Sequence, residues 1–274
     1  AELARALGAL VPAASGLLDR DPIALALSAL AVLSAFAYGT LAAAAASIRM
    51  RAATIALAAM LLVVLPSAAF ISLGASSERP YGQDGGVVQL PLAVHKILAG
   101  ESPYGADYSG TILAKQARVS SFWSARGGNP ILHHHAYLPG THLVMLPFQL
   151  ACEHAFGFFD PRLVTLLFYG LAVVLASRLP AAADARLAAA GVAAFNPLVY
   201  WHQIFGANDL LFVAMLLGAV LLLRARPTLA AALVGLACAT KQLAWPFAPF
   251  LLLAAAGAAS WRELLSLATW RRLR

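Results

Sequence analysis

Asp84 and Lys241 are charged side chains set in breaks of an otherwise apolar chain. Asp84 lies in Tyr81-Gly82-Gln83-Asp84-Gly85-Gly86, at the head of a polar segment between two very apolar stretches, 52–73 and 142–158. A carboxylate beside a bilayer can act as a general base, taking the proton of an attacking hydroxyl. The plainer account is that Asp84 caps the helix that follows it, and capping does not exclude catalysis. Lys241 lies inside the apolar run 228–256, within Ala239-Thr240-Lys241-Gln242, and Pro246 and Pro249 follow it. A lysine there must snorkel, pair with an acid or line a polar cavity. The prolines predict two half-length helices meeting at Lys241, whose cation suits an anionic group of a substrate.

A second polar break runs from Asn196-Pro197 through Tyr200, Trp201, His202 and Gln203 to Gly206-Ala207-Asn208-Asp209. Asn208 and Asp209 can cap the helix that follows, but polar side chains at membrane depth are functional candidates because burying them unpaired is costly. His133-His134-His135, with His142 further on, invites a metal reading. Three adjacent histidines cannot all face one ion from a regular helix or strand, and no carboxylate stands at ligand spacing. A hydrogen-bonding or acid–base histidine, or a plain interfacial loop, fits better, so no metal is expected. Cys152 and Cys238 sit in apolar helix and read as small buried hydrophobes. Nothing matches a serine-hydrolase elbow, a phosphate-cradling glycine loop or a dinucleotide fingerprint, so no cofactor is called for and nucleotide-sugar or ATP use is disfavoured.

The elements that must position these groups are membrane helices. The chain is 61% hydrophobic and 11% charged, with a mean hydropathy of +0.78, outside the soluble globular range. Apolar runs recur at 23–47, 52–73, 142–158, 163–179, 187–205, 208–223 and 228–256. A crossing takes about 20 apolar residues, which predicts about six to eight membrane helices. Many runs are rich in alanine, which permits close helix–helix approach. The net charge of +7 is not a nucleic-acid footprint. The arginines cluster at helix ends (Arg49 and Arg51, Arg178 and Arg186, Arg224 and Arg226), as cytoplasmic loops require. The expected location is the inner (plasma) membrane, multi-pass, with the bilayer itself as partner. The chain begins with alanine and stops on a basic cluster, and so reads as one transmembrane domain, 1–274, from a longer chain.

Arg49-Met50-Arg51 on the cytoplasmic side places the segment 74–140 outside, as an extracytoplasmic loop. Inside it, Val87, Leu90, Pro91, Val94, Ile97 and Leu98 follow helical spacing and Gly100 is placed to stop the helix. An amphipathic interfacial helix is therefore expected over about 85–99. Three apolar stretches follow the loop, yet the basic pairs demand one passage fewer, so either one of the three is re-entrant or half-length or the charge rule fails here.

Taken in order, the motifs form a pattern. An Asp in the first long loop precedes an amphipathic helix and Gly100-Glu101-Ser102-Pro103-Tyr104. Tyr137-Leu138-Pro139, the break Asn196-Pro197 to Gly206 and Asp209, and a small-residue helix carrying Lys241 and leading to Pro246 follow. Over about residues 50–255 this resembles the C-type (GT-C) polytopic membrane glycosyltransferases. It is most similar to family 87, the polyprenol-phosphate-mannose-dependent mannosyltransferases. The resemblance implies an all-α integral membrane bundle and a polyprenyl-phosphate sugar donor, with a lipid or glycan as acceptor. It implies Asp84 as catalytic base, with Lys241 or Arg126 as the cation for the departing phosphate and His134 or His202 assisting. Tyr104, Tyr137, Asn208 and Asp209 are expected in substrate binding. The competing reading is a non-catalytic membrane subunit or a transporter in which Lys241 and Asp209 form a structural or ion-pathway pair.

Overall fold

The structure, a computed structural model, describes residues 22–76, 86–117 and 130–256. Asp84 and Arg126 lie outside the described residues. The described part is helical with no strand, as its alanine- and leucine-rich runs favour. α1 (Pro22–Ala43) turns into α2 (Ile48–Ala59), which opens on Ser47, whose Oγ accepts the Met50 N–H at 3.3 Å. A π-helical turn (Met60–Val64) joins α2 to α3 (Leu65–Ser76). The stretch Ile48–Ser72 is, among the described residues, the one helix long and apolar enough by itself to cross a membrane.

After the loop come α6 (Pro139–Phe156), α7 (Arg162–Arg178), α8 (Ala183–Phe195), α9 (Pro197–Phe205), α10 (Asp209–Leu222), α11 (Pro227–Thr240) and α12 (Phe247–Ala256). The apolar run 187–205 is divided at Asn196, whose Oδ1 accepts the Leu198 N–H at 3.0 Å while Pro197 opens α9. α8 and α9 then continue in one direction. α7, α8–α9, α10 and α11 alternate in direction, so the turns carrying Arg178, Arg186, Arg224 and Arg226 all fall at one end of the bundle. Arg51 and Asp184 join the starts of α2 and α8 at that same end, Nη2 to Oδ1 2.5 Å.

The opposite end is fastened by Arg162, which is wholly buried. Its guanidinium lies against Asp160, Nη2 to Oδ2 2.6 Å and Nε to Oδ1 3.0 Å. It also donates to the carbonyls of Ile204 (3.3 Å) and Phe70 (3.5 Å). One cation thus ties the start of α7 to the end of α9 and the middle of α3. Desolvating it is tolerable only because its donors are met by a carboxylate and backbone oxygens.

α6 takes a different course from the helices after it. Its first turn meets the last turn of α11, where Thr141 Oγ1 donates to the carbonyl of Thr240 at 2.7 Å. Further along, Met145 packs in one cluster with Leu90, Val164 and Leu211, the latter two from the first turns of α7 and α10. Near its far end Gln149 donates to the Pro91 carbonyl at 3.2 Å and Glu153 meets His95 at 2.9 Å. Gly157, at φ 74°, stops it. Every one of these contacts is at the Arg162 end, so α6 lies across that end rather than running through the bundle. The 142–158 stretch is thus packed on that end by its two tips and its middle alike.

Within the loop, α4 (Gly86–Leu98) occupies the expected 85–99, and Gly100 (φ 76°) follows its last turn. Its buried face is Val87, Leu90, Ala93 and Val94. Val87 rests on Gly206, where the left-handed backbone (φ 85°) closes α9 and an added Cβ would lie 1.8 Å from Val87 Cγ2. Gln89, fully buried, donates to the carbonyls of Ile131 (2.8 Å) and His134 (3.0 Å). The later part of the loop is thereby strapped to α4. The short α5 (Ile112–Ala117) and a 3-10 turn (Pro130–Leu132) are the other described loop helices.

Candidate active site

Two polar clusters border each other across the first turn of α6. The first lies where α11 stops. Lys241 takes an extended backbone there (φ −152°, ψ 137°), a one-turn 3-10 helix (Gln242–Ala244) follows, and α12 resumes beyond. This break puts the ammonium beside the start of α10. Lys241 Nζ forms an ion pair with Asp209 and donates to Asn208 Oδ1 at 3.0 Å. The other oxygen of Asp209 stands 3.5 Å from His202 Nδ1, an ion-pair distance, and about half of the His202 side chain is exposed. Asn208 precedes α10 at the capping position without bonding its amides. Its Oδ1 is turned to Lys241 and its Nδ2 is buried without an acceptor.

The second cluster is aromatic. His135 and His142 are both buried, and their Nε2 atoms are 2.5 Å apart. That spacing leaves no room for a metal between them, since two zinc–nitrogen bonds of about 2.0–2.1 Å hold ligand atoms farther apart. The two rings share one hydrogen bond, one Nε2 donating and the other accepting. Burial, with the neighbouring His142 and His134, pulls the His135 pKa down to about 3, and the ring is neutral. Tyr104 sits edge-on to both imidazoles and donates to the Tyr137 carbonyl at 3.1 Å. Tyr108 donates to the Pro103 carbonyl at 3.0 Å. Burial raises the pKa of both phenols, which stay protonated donors. Nearer the loop surface, Ser109's amide and hydroxyl hold the Asp107 carboxyl below its usual value, and His133 lies 3.3 Å away.

Alongside lies an almost wholly apolar cavity of about 330 Å³, enclosed by α4 (Val94, Ile97), by Pro103 and Tyr104, and by His142 and Leu146 of α6. The Gly100–Tyr104 element therefore forms one wall of a cleft between the loop helix and α6. Among the described residues, no group of three His, Cys, Asp or Glu side chains is placed to hold a metal ion.

Of the expected residues, Lys241, His202, Asn208 and Asp209 come together in one cluster and Tyr104 and Tyr137 in the other. His134 does not join either through its side chain, which is exposed, and contributes its carbonyl to Gln89 instead. His135 and His142 are the buried histidines. Their pairing depends on the turn at Leu138-Pro139 that folds α6 back, and no local spacing announces it. Gln89 and Arg162 organise the site through backbone carbonyls far along the chain, which no local spacing announces.

No curated protein and no solved structure matches this chain. The family model for glycosyltransferase family 87 matches residues 135–271, half of the chain. That span opens at His135 and takes in His142, His202, Asn208, Asp209 and Lys241. The chain is a transferase acting on a sugar donor and an acceptor, and it belongs to glycosyltransferase family 87.

Proposed function

We propose that the protein transfers a sugar from a polyprenyl-phosphate donor to a lipid or glycan acceptor at the extracytoplasmic face, with Asp84 as base. The observation that carries the reading is the meeting of the loop and the Asp209–Lys241 break around the first turn of α6, beside an apolar cleft. A lipid-linked donor needs such a junction, with an apolar surface for its chain next to polar groups for its phosphate and sugar. Asp84 stands two residues ahead of α4 in sequence. The acceptor hydroxyl gives its proton to the carboxylate as its oxygen bonds to the anomeric carbon, and the carbon–oxygen bond to phosphate breaks with its electron pair left on phosphate. Polyprenyl phosphate leaves without a general acid, so one base suffices for inversion. The acceptor hydroxyl is far more basic than a carboxylate, so geometry matters more than basicity. Arg126 and the Lys241 cluster are the cations for the departing phosphate, and Tyr104, Tyr137 and His134 are the loop's contributions to substrate binding.

The gathering of Arg51, Arg178, Arg186, Arg224 and Arg226 at the end opposite the loop supports a single multi-pass domain in the inner membrane, loop outward. Family membership favours this transferase over the non-catalytic subunit or transporter. The test is Asp84→Asn in proteoliposomes supplied with a polyprenyl-phosphate hexose and an acceptor. Transfer should fall by at least about a hundredfold, the low end of a positioned base's contribution, with thermal stability unchanged. Undiminished transfer would end this reading.

A further inference from the structure

Lys241 has no spare charge. Its ammonium is paired with Asp209, and a close pair of opposite charges offers little net attraction to an anion. The group that changes the balance is His202, beside the other oxygen of Asp209 and half exposed. With His202 neutral the three side chains sum to zero, and with an imidazolium they sum to one positive charge. Asn208 adds a donor, because Lys241 fixes its amide with Oδ1 toward the ammonium and leaves Nδ2 buried with no acceptor.

We propose that His202, as imidazolium, gives this break its net positive charge and so sets its affinity for the singly charged phosphodiester of the donor, with Asp209 as the positioning residue that holds His202 and Lys241 together. The inference rests on the transferase reading above and assigns the phosphate's counter-charge within it. The other charged side chains described at this end have partners of their own: Lys96 pairs with Glu101 and His133 with Asp107. Arg162 is neutralised by Asp160 on the α7 side. His135, beyond the first turn of α6, is neutral, and His142 holds its Nε2 against it. Glu153 faces His95 at the far end of α6. The α3 segment that packs on α9 carries no charged side chain.

The experiment measures binding of geranyl methyl phosphate, a diester whose single charge is constant with pH, to the purified full chain in detergent between pH 5.5 and 8. Dimethyl phosphate, which has the same headgroup and no prenyl chain, is measured beside it. The wild type should bind geranyl methyl phosphate roughly tenfold more weakly at pH 8 than at pH 5.5, the scale of one partly exposed charge. His202→Gln should bind weakly and without pH dependence, and His202→Arg tightly and without it. Asp209→Asn should bind more tightly at pH 8 by freeing Lys241. Dimethyl phosphate following the same pattern more weakly would show that the headgroup is read. Dimethyl phosphate binding as tightly as the prenyl diester would overturn the donor assignment in favour of a free-phosphate site. A His202→Gln protein that keeps the wild-type pH dependence, or a wild type that binds neither probe, overturns the inference. Loss of transfer in Asp84→Asn with this binding intact would leave the two readings separable.

Discussion

Thr141 and Thr240, 99 residues apart in the chain, are joined by a 2.7 Å hydrogen bond from the threonine hydroxyl of α6 to the last carbonyl of α11. The bond is buried and joins the residue before His142 to the residue before Lys241. It is therefore a direct link between the aromatic cluster and the charged one. Thr141→Val keeps the shape and removes the donor, leaving a buried carbonyl unmet. A loss of about 1–3 kcal/mol of stability is expected, along with slower transfer, because small misplacements of reacting groups are costly. Thr141→Ser should restore both, as read by thermal unfolding and by kcat.

Gly140 faces Ala239 so closely that a Cβ would lie 2.6 Å from its backbone carbonyl carbon. No rotamer relieves a contact with backbone. Gly140→Ala should push α6 off α11, lower thermal stability and open the Lys241 pairing. Gly235, on the same α11 helix, has nothing within 4 Å. Gly235→Ala should be neutral or stabilise by up to about 1 kcal/mol through helix propensity. Equal effects of the two substitutions would count against the close approach.

Removing the carboxylate from the Arg162–Asp160 pair strands a buried cation. Asp160→Asn is expected to cost about 3–5 kcal/mol, whereas replacing both partners by apolar residues should cost much less. A double-mutant cycle by chemical denaturation checks this. Asp184→Asn at the other end, where the carboxylate is exposed, should cost at most about 1 kcal/mol.

His135 makes the protein acid-sensitive in a defined direction. Its folded-state pKa, about 3, lies below the ordinary 6.5. The neutral ring's contribution is fully present above about pH 6.5 and is lost as pH falls from there toward 3, because the unfolded chain takes up the proton first. Over that window stability should drop by up to about 1.4 kcal/mol per pH unit. Unfolding midpoints at pH 7 and pH 5 measure it, and His135→Phe should flatten the difference.

Much of this arrangement is legible in the sequence where the signal is local. The spacing of Val87, Leu90 and Val94 with Gly100 behind them places α4 to within a residue at each end, and the prolines after Lys241 mark the break that α11 and α12 make. Asn196-Pro197 marks the division inside 187–205 in the same way. What could not be read depends on partners far along the chain. Lys241 shows that it needs an anion, but Asp209 is one of several within reach. His134 and His135 are indistinguishable until Gln89 claims the carbonyl between them and the Leu138-Pro139 turn returns His142. The hydropathy of 142–158 suggests a passage through the bundle. Against it stand Gln149 and Glu153, one helical turn apart, a polar stripe that the loop helix covers through Pro91 and His95.

In the multi-pass membrane domain proposed above, that stripe decides the sidedness of everything after it. Counted as a crossing, α6 would invert each later helix and send Asn208, Asp209 and Lys241 to the face opposite the loop. Laid flat, it restores an even number of passages, α7, α8–α9, α10 and α11, and returns the chain to the loop's own side. On that reading two side chains that touch α4, Gln149 and Glu153, set the parity of the family-matched half, and a reporter inserted at Gly157 would share its compartment with Tyr104 and not with Arg178.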